Sequence, residues 1–242
     1  MIPFLGPDDP LPPVERALDE PNGLLAAGGS LSVPSLVRAY ARGVFPWFGA
    51  GDPVLWWCPD PRLVLVPSEL RLSRSLRKRL RRCDHSVTAD TAFTDVVEAC
   101  AAPRRNDDGT WLVPSMRDAY GRLYAAGFAH SVEVWMDGRL AGGLYGVALG
   151  RMFFGESMFA RVTDASKIAL VHLARQLGRW EYPLIDCQLP TEHLVSMGAR
   201  EMPRRAFLGE VDRLVRLHPV PAPWRLDGDL TASFRAPAPQ AG

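Results

Sequence analysis

Lysine is nearly absent from this chain of 242 residues, since Lys78 and Lys167 are the only two and arginine supplies the remaining positive charge. Basic and acidic residues almost balance, and the formal net charge is +1. Such a balance excludes a globally basic nucleic-acid binder but is compatible with a local basic patch. Any charge that serves recognition must therefore be concentrated in one part of the chain.

Cysteine is also scarce, and the four cysteines form no C-x-x-C pair. The five histidines lack the spacing of metal ligands. No run of about 18 apolar residues exists, and no basic stretch precedes an apolar one near the start. We therefore expect a cytoplasmic protein with reduced thiols that has no metal, no cofactor and no membrane contact.

Two common kinds of catalytic loop are missing as well. The glycines between Gly142 and Gly150 match neither G-x-G-x-x-G nor G-x-x-x-x-G-K-[ST], which argues against a dinucleotide or phosphate loop. Ser157 lies near the end of a predicted strand, but the G-x-S-x-G turn of serine hydrolases needs glycine at position 159, where Phe159 stands. No histidine is positioned in the sequence to indicate a triad, although spacing alone leaves His193 open as a partner.

The hydrophobic pattern changes from a helical period to an alternating one along the chain. Helices are predicted at 34–42, 71–82, 87–102, 115–126, 167–177, 192–197 and 205–217. Strands are predicted at 64–66, 131–135, 140–149, 152–158 and 184–188. Three strands, a helix and a strand in that order predict an α/β (α+β) fold whose sheet is mostly antiparallel until the crossover helix.

The last residues have a different composition. The segments PVPAPW and APAPQAG are rich in proline and alanine. We therefore expect residues 219–242 to be poorly ordered.

One basic stretch stands out within residues 71–82, which contain no acid. Helical spacing places five of its cations on one face: Arg74, Arg77, Lys78, Arg81 and Arg82. Such a face repels itself and favours an anionic partner, of which RNA phosphate is the first candidate. The alternative is a solvated helix whose charges are balanced by acids elsewhere.

Three polar groups lie in otherwise apolar strands. Glu156 is surrounded by phenylalanine and methionine, where an unpaired carboxylate is costly to bury. Asp186 and Gln188 are two positions apart, so a regular strand would place both on one face. The three could act on one substrate, or they could form a polar network that only fixes the core.

Two tryptophans are open to a similar choice. Trp47 belongs to a cluster of aromatic residues, and Trp111 lies at the junction between a loop and a helix. Each is either part of a core or a platform on which a nucleotide base stacks.

Motifs at compatible spacing over about residues 11 to 217 resemble those of the leucyl/phenylalanyl-tRNA–protein transferases. The matching segments are EPNGLLAAGG (20–29), GVFPWF (43–48), DPVLWWCPDPR (52–62), HSVEVW (130–135), GGLYGVALGRMFFGESMF (142–159), DASK (164–167), LIDCQ (184–188) and TEHLVSMGAREMPRRAF (191–207). Phe154 and the chain after Leu217 match no motif.

The resemblance implies a small N-terminal domain at 1–63 and an N-acetyltransferase-like catalytic domain at 64–218, which the proline- and alanine-rich tail at 219–242 follows. It also implies an enzyme that moves Leu, Phe or Met from aminoacyl-tRNA to proteins with an N-terminal Arg or Lys. This transfer tags those proteins for N-end-rule degradation.

Site residues carried over from the family are expectations of the same kind. Asp186 and Gln188 would orient and activate the acceptor amine, and Glu156 would bind the α-ammonium of the aminoacyl group. Trp47 and Trp111 would stack near the 3′-terminal adenosine, and the five cations of 71–82 would contact the tRNA backbone. The aminoacyl side chain would be bound by Leu144, Phe153, Met158, Leu170 and Ile185.

Two other functions are compatible with parts of this pattern. An N-acyltransferase of related fold that uses acyl-CoA would need a loop rich in glycine and arginine before the crossover helix, and residues 161–165 offer an acid and no glycine. In a non-catalytic tRNA-binding module, the basic helix would matter and Asp186 would not.

Overall fold

A computed structural model of the chain describes residues 1–82, 84–102 and 111–234. The helices are α1 (Val33–Tyr40), α2 (Arg74–Leu80), α3 (Phe93–Ala101), α4 (Pro114–Ala125), α5 (Ala165–Arg179), α6 (Glu192–Ser196) and α7 (Arg204–Leu214). The strands are β1 (Phe4–Leu5), β2 (Leu24–Gly28), β3 (Phe45–Pro46), β4 (Leu55–Trp57), β5 (Arg62–Leu65), β6 (Ser86–Ala89), β7 (Ala129–Met136), β8 (Arg139–Leu149), β9 (Met152–Ala160), β10 (Leu184–Gln188) and β11 (Arg200–Met202). No helix within these ranges is long and apolar enough to span a membrane.

The larger sheet has seven strands in the order β11-β5-β10-β9-β8-β7-β6. Its pairings are antiparallel except for β9 with β10, which are parallel. Helix α5 makes the crossover between these two strands, as parallel neighbours require. The predicted α/β class, with a mostly antiparallel sheet and a crossover helix, is confirmed.

The smaller sheet has four short strands in the order β1-β2-β4-β3. Helix α1 follows β2, and Ser32 caps its start, where the Ser32 hydroxyl accepts a hydrogen bond from the Ser35 amide. One apolar cluster joins this part to the larger sheet, since Phe45 and Trp56 belong to it together with Phe154. The boundary predicted after Leu63 falls inside β5, so the division into domains stays a prediction.

The predicted helix over 87–102 is wrong in its first part. Ser86–Ala89 form β6, which pairs with β7 through the register Val87↔Val134 and Ala89↔Val132. The left-handed backbone of Asp90, with φ of 53°, ends the strand before α3 begins at Phe93. The strand has only four residues, too few for alternation to outweigh the helical pattern that follows.

The expectation of a poorly ordered tail is wrong for residues 219–234. Trp224 is 1% exposed, and its ring stacks on His130 with centroids 3.7 Å apart. The Trp224 amide donates to the Asp90 carboxylate at 2.6 Å, and Arg179 pairs with Asp227 and Asp229. Proline limits regular structure here but does not prevent packing. Residues 235–242 lie outside the described ranges.

Candidate active site

A cavity opens where the two parallel strands of the large sheet part. Strands β9 and β10 pair only through Met152–Phe154 and Leu184–Asp186. Beyond that point Gln188 pairs with β5 instead, and a cavity of about 660 Å³ lies beside the end of the β9–β10 ladder. The end of a strand ladder leaves backbone and side chains accessible to a ligand, as at many binding sites.

The cavity brings together every residue predicted for the reacting centre, the aminoacyl pocket and the 3′ end of tRNA. These residues are Trp47, Trp111, Leu144, Phe153, Glu156, Met158, Leu170, Ile185, Asp186 and Gln188. They come from both halves of the chain. Most of the wall is apolar, and a few polar groups converge on it.

A bulge in β9 determines where Glu156 points. In the β8–β9 ladder, Tyr145 pairs with Ser157 and Gly146 pairs with Gly155, so Glu156 is the extra residue. Bulges change the direction of a side chain relative to regular alternation. Glu156 therefore leaves the regular pattern of the sheet and faces the cavity.

The Glu156 carboxylate has three hydrogen-bond donors. The hydroxyl of Tyr40 donates to Oε1 at 2.7 Å, and that of Tyr120 donates to Oε2 at 2.5 Å. The Gln188 side-chain amide donates to Oε1 at 3.1 Å. Burial raises the pKa of Glu156 to about 7, although the two tyrosine hydrogen bonds oppose the shift. The carboxylate therefore changes charge near neutral pH.

Asp186 is held by an arginine that we did not predict for the site. Arg62 donates through Nε to Oδ1 at 2.8 Å and through a terminal nitrogen to Oδ2 at 2.7 Å. Both side chains are 0% exposed. The Arg62 guanidinium lies between the rings of Phe45 and Phe207, at 4.8 Å and 4.6 Å from their centroids.

Gln188 does not follow Asp186 in a regular strand, so the predicted simple alternation is wrong. The β10–β5 register shifts between the two residues, and Gln188 has a φ of 62°. Its backbone amide donates to Asp186 Oδ1 at 2.9 Å. A non-glycine residue with positive φ is strained and needs such support from its surroundings.

The two tryptophans line the cavity and are not fully buried. Trp47 is 43% exposed and meets Trp57 edge-on, with centroids 5.6 Å apart. Trp111 is half-buried and meets Tyr120 edge-on at 6.3 Å. Both rings line the cavity, so neither is a plain core residue.

Helix α2 lies apart from the cavity and is amphipathic. Leu76 and Leu80 are buried, whereas the predicted cations are exposed: Arg74, Arg77, Lys78, Arg81 and Arg82. In this segment, Arg79 alone forms an ion pair with a described residue, Asp84. Acids of the described part of the chain therefore do not balance the five exposed cations.

Within the described ranges, no group of three or more His, Cys, Asp or Glu side chains could hold a metal ion.

Sequence reasoning missed the partners of the predicted residues, which are Tyr40, Tyr120 and Arg62. Tyr40 lies 116 positions from Glu156, and Arg62 lies 124 positions from Asp186. The one available signal was Arg62 itself, a charged residue at the end of the WWCPDPR segment and at the start of an apolar strand.

Comparison with known proteins covers nearly the whole chain. The family model described as "Leucyl/phenylalanyl-tRNA protein transferase" matches residues 64–212, and the model of its N-terminal domain matches residues 29–60. A leucyl/phenylalanyl-tRNA–protein transferase of Nitrosomonas europaea is 59% identical over 94% of this chain and 96% of its own. One of Azoarcus sp. is 57% identical over 97% of this chain and 99% of its own.

Solved structures show only a distant likeness. The structure of L-PGS from Bacillus licheniformis covers 86% of this chain and 70% of its own, with 10% identity and a TM-score of 0.38. At that score it carries no argument about function.

Proposed function

Because the chain belongs to the leucyl/phenylalanyl-tRNA–protein transferase family, we propose that the cavity between β9 and β10 is where the aminoacyl group meets its acceptor amine. The chain is an aminoacyltransferase that takes its aminoacyl group from tRNA and passes it to a protein. The observation that carries the proposal is the convergence of the predicted residues on one cavity, where hydrogen bonds link Glu156, Asp186 and Gln188.

The chemistry needs little beyond positioning. An aminoacyl ester is already activated, so the enzyme must orient the acceptor amine, accept its proton and stabilise the oxyanion. The Gln188 amide nitrogen donates to Glu156, which leaves the amide oxygen to accept an N–H of the acceptor amine. Asp186 supports that role by binding the Gln188 backbone.

Glu156 is suited to the α-ammonium group of the aminoacyl moiety. A carboxylate accepts about four hydrogen bonds, and its three donors leave one position for a cationic N–H. The ammonium charge would offset the cost of burying the ionised carboxylate. It would also favour the ionised form of Glu156.

The apolar wall is suited to Leu, Phe and Met. Phe153, Leu170 and Ile185 are buried there, and Leu144 and Met158 lie opposite each other in the β8–β9 ladder. A difference of one methylene between two side chains changes the free energy that discriminates between them by only about 1–3 kcal/mol, so selection among these side chains is modest.

The nucleic acid would extend from the cavity over the exposed surface. Trp47 and Trp111 would stack near the 3′-terminal adenosine, and the five exposed cations of α2 and of the two residues after it would bind acceptor-stem phosphates. The acceptors would be cytoplasmic proteins with an N-terminal Arg or Lys, which the transfer marks for N-end-rule degradation.

One assay tests the proposal. Labelled Leu is transferred from Leu-tRNA to a peptide that begins with Arg, with the same peptide beginning with Ala as control. We expect transfer to the first peptide alone, and loss of transfer in Asp186→Ala and Gln188→Ala. Full transfer by both variants, or equal labelling of both peptides, would refute the proposed site or acceptor. Labelling from an acyl-CoA donor would instead support an N-acyltransferase.

A further inference from the structure

Arg62 and Asp186 form a buried ion pair next to the proposed reacting centre. Asp186 lines the cavity, whereas Arg62 does not. Replacing a buried pair by apolar residues is often neutral or stabilising, so such a pair is weak evidence for a role in stability alone. The pair of Arg62 and Asp186 is bidentate and fully buried, and aromatic rings flank the guanidinium on two sides. This arrangement fixes one orientation of the carboxylate.

The orientation of that carboxylate reaches Gln188 through the backbone. Oδ1 accepts both from Arg62 Nε and from the Gln188 amide. That amide belongs to a residue with φ of 62°, at the position where the β10–β5 register shifts. Strained backbone of this kind persists only where its surroundings determine it, and it is concentrated at functional sites.

The series of hydrogen bonds ends at the cavity. The Gln188 side chain donates to Glu156, and Glu156 is held by the hydroxyls of Tyr40 and Tyr120. Rotation of the Asp186 carboxylate would break its hydrogen bond with the Gln188 backbone amide. The side-chain amide oxygen of Gln188 would then move. Misplacement of a reacting group by about 1 Å can cost about 100-fold in rate.

We propose that Arg62 is a positioning residue for the transfer: it clamps the Asp186 carboxylate and thereby fixes Gln188 in its left-handed conformation, with its side-chain amide at the cavity. The role rests on the proposed function of that cavity. Arg62 itself does not touch the substrate. Its side chain joins β3 and α7, through Phe45 and Phe207, to the end of β10.

The decisive variant is Arg62→Lys, because lysine keeps the charge but cannot bind both carboxylate oxygens in the planar geometry of arginine. Arg151→Lys is the matched control, since Arg151 donates to the Trp180 carbonyl, lies 5.5 Å from the Tyr182 ring and does not line the cavity. Arg62→Met with Asp186→Asn removes both charges, so it leaves no unpaired buried ion if the single variant unfolds.

Two readouts are needed, one of position and one of rate. The chain has three glutamines, Gln176, Gln188 and Gln240, so ¹⁵N-glutamine labelling gives an assignable amide signal for Gln188. In Arg62→Lys we expect this signal to move, and kcat to fall about 10- to 100-fold while KM for aminoacyl-tRNA stays within about twofold. Arg151→Lys should leave the Gln188 signal, kcat and KM unchanged.

An unmoved Gln188 signal in a folded Arg62 variant would overturn the proposal. So would a kcat within about twofold of the wild type, or an equal loss in Arg151→Lys. If the signal moves but the wild-type protein transfers no aminoacyl group at all, the positioning role stands and the proposed function is wrong.

Discussion

At the scale of single residues, the proposed role of Glu156 would make substrate binding depend on pH. Burial raises its pKa from 4.5 to about 7, so the folded protein holds a proton that the unfolded chain releases at lower pH. The resulting contribution to stability is complete below about 4.5 and is lost as the pH rises through about 7. A cationic α-amine, in contrast, would bind to the ionised form of Glu156, which prevails at higher pH.

We therefore expect kcat/KM for aminoacyl-tRNA to rise with pH near 7 in the wild type, and this limb to be absent in Glu156→Gln. Tyr120→Phe should move the limb to higher pH, because the Tyr120 hydrogen bond is the largest influence that lowers the Glu156 pKa. The measurement is a pH–rate profile of the three proteins. If kcat/KM of Glu156→Gln rises over the same pH range, the rise belongs to the titration of another group.

The residues of the candidate site were predictable, but their partners were not. The resemblance named Glu156, Asp186 and Gln188, and all three line one cavity. In the sequence, Tyr40 belongs to the apolar face of a predicted helix, and the hydrogen bond of its hydroxyl to Glu156 on β9 forms only in the folded chain. A hydrogen bond between residues so distant in the chain leaves no local pattern.

At the scale of secondary-structure elements, α2 is a candidate for the contact with nucleic acid. Its leucines anchor it to the protein, and its cations are turned outward without acids of the described residues to balance them. An exposed face of one sign attracts a phosphate backbone and releases counterions when it binds.

Replacing Arg74, Arg77 and Arg81 with alanine should raise KM for aminoacyl-tRNA and reduce the slope of log KM against log salt by about one for each phosphate that is no longer bound. The matched control is Arg213→Ala in α7 with Arg216→Ala just after it, since these exposed arginines already pair with Glu210 and Asp212. KM would be measured over a series of salt concentrations. An unchanged slope in the α2 variant would rule out phosphate binding by this face.

Helices and strands were predictable from the sequence where they were long enough to show their hydrophobic period. The β7–β8 hairpin and α5 agree with the predicted segments, because each has enough residues to show its period. Strand β6 was missed because its four residues precede a stronger helical pattern. The bulges at Glu156 and at Gln188 depend on pairing with a neighbouring strand, which a single segment does not reveal.

At the scale of the whole molecule, residues 219–234 pack against the large sheet through Trp224. The Trp224 ring contacts His130 at 3.7 Å and lies 5.8 Å from Phe153, which lines the cavity. Composition predicted poor order, because proline and alanine are common in disordered chains. Buried Trp224 and the acids that bind Arg179 are among the contacts that hold this segment against the rest of the chain.

We expect Trp224→Ala to lower the free energy of unfolding by about 3–5 kcal/mol, since it empties a fully buried aromatic site. Denaturant-induced unfolding measures the change. Leu217→Ala is the control, because Leu217 is 44% exposed and should change stability by less than about 0.5 kcal/mol. A decrease below about 1 kcal/mol in Trp224→Ala would mean that the segment packs without stabilising the domain.

The central claim is that one cavity binds both the side chain and the charge of the aminoacyl group. A crystal structure with a non-hydrolysable leucyl-adenosine analogue tests it most directly. We predict the leucyl side chain among Phe153, Met158 and Ile185, with the α-ammonium within hydrogen-bond distance of Glu156. An analogue bound outside this cavity, or bound in it with its ammonium away from Glu156, would contradict the account.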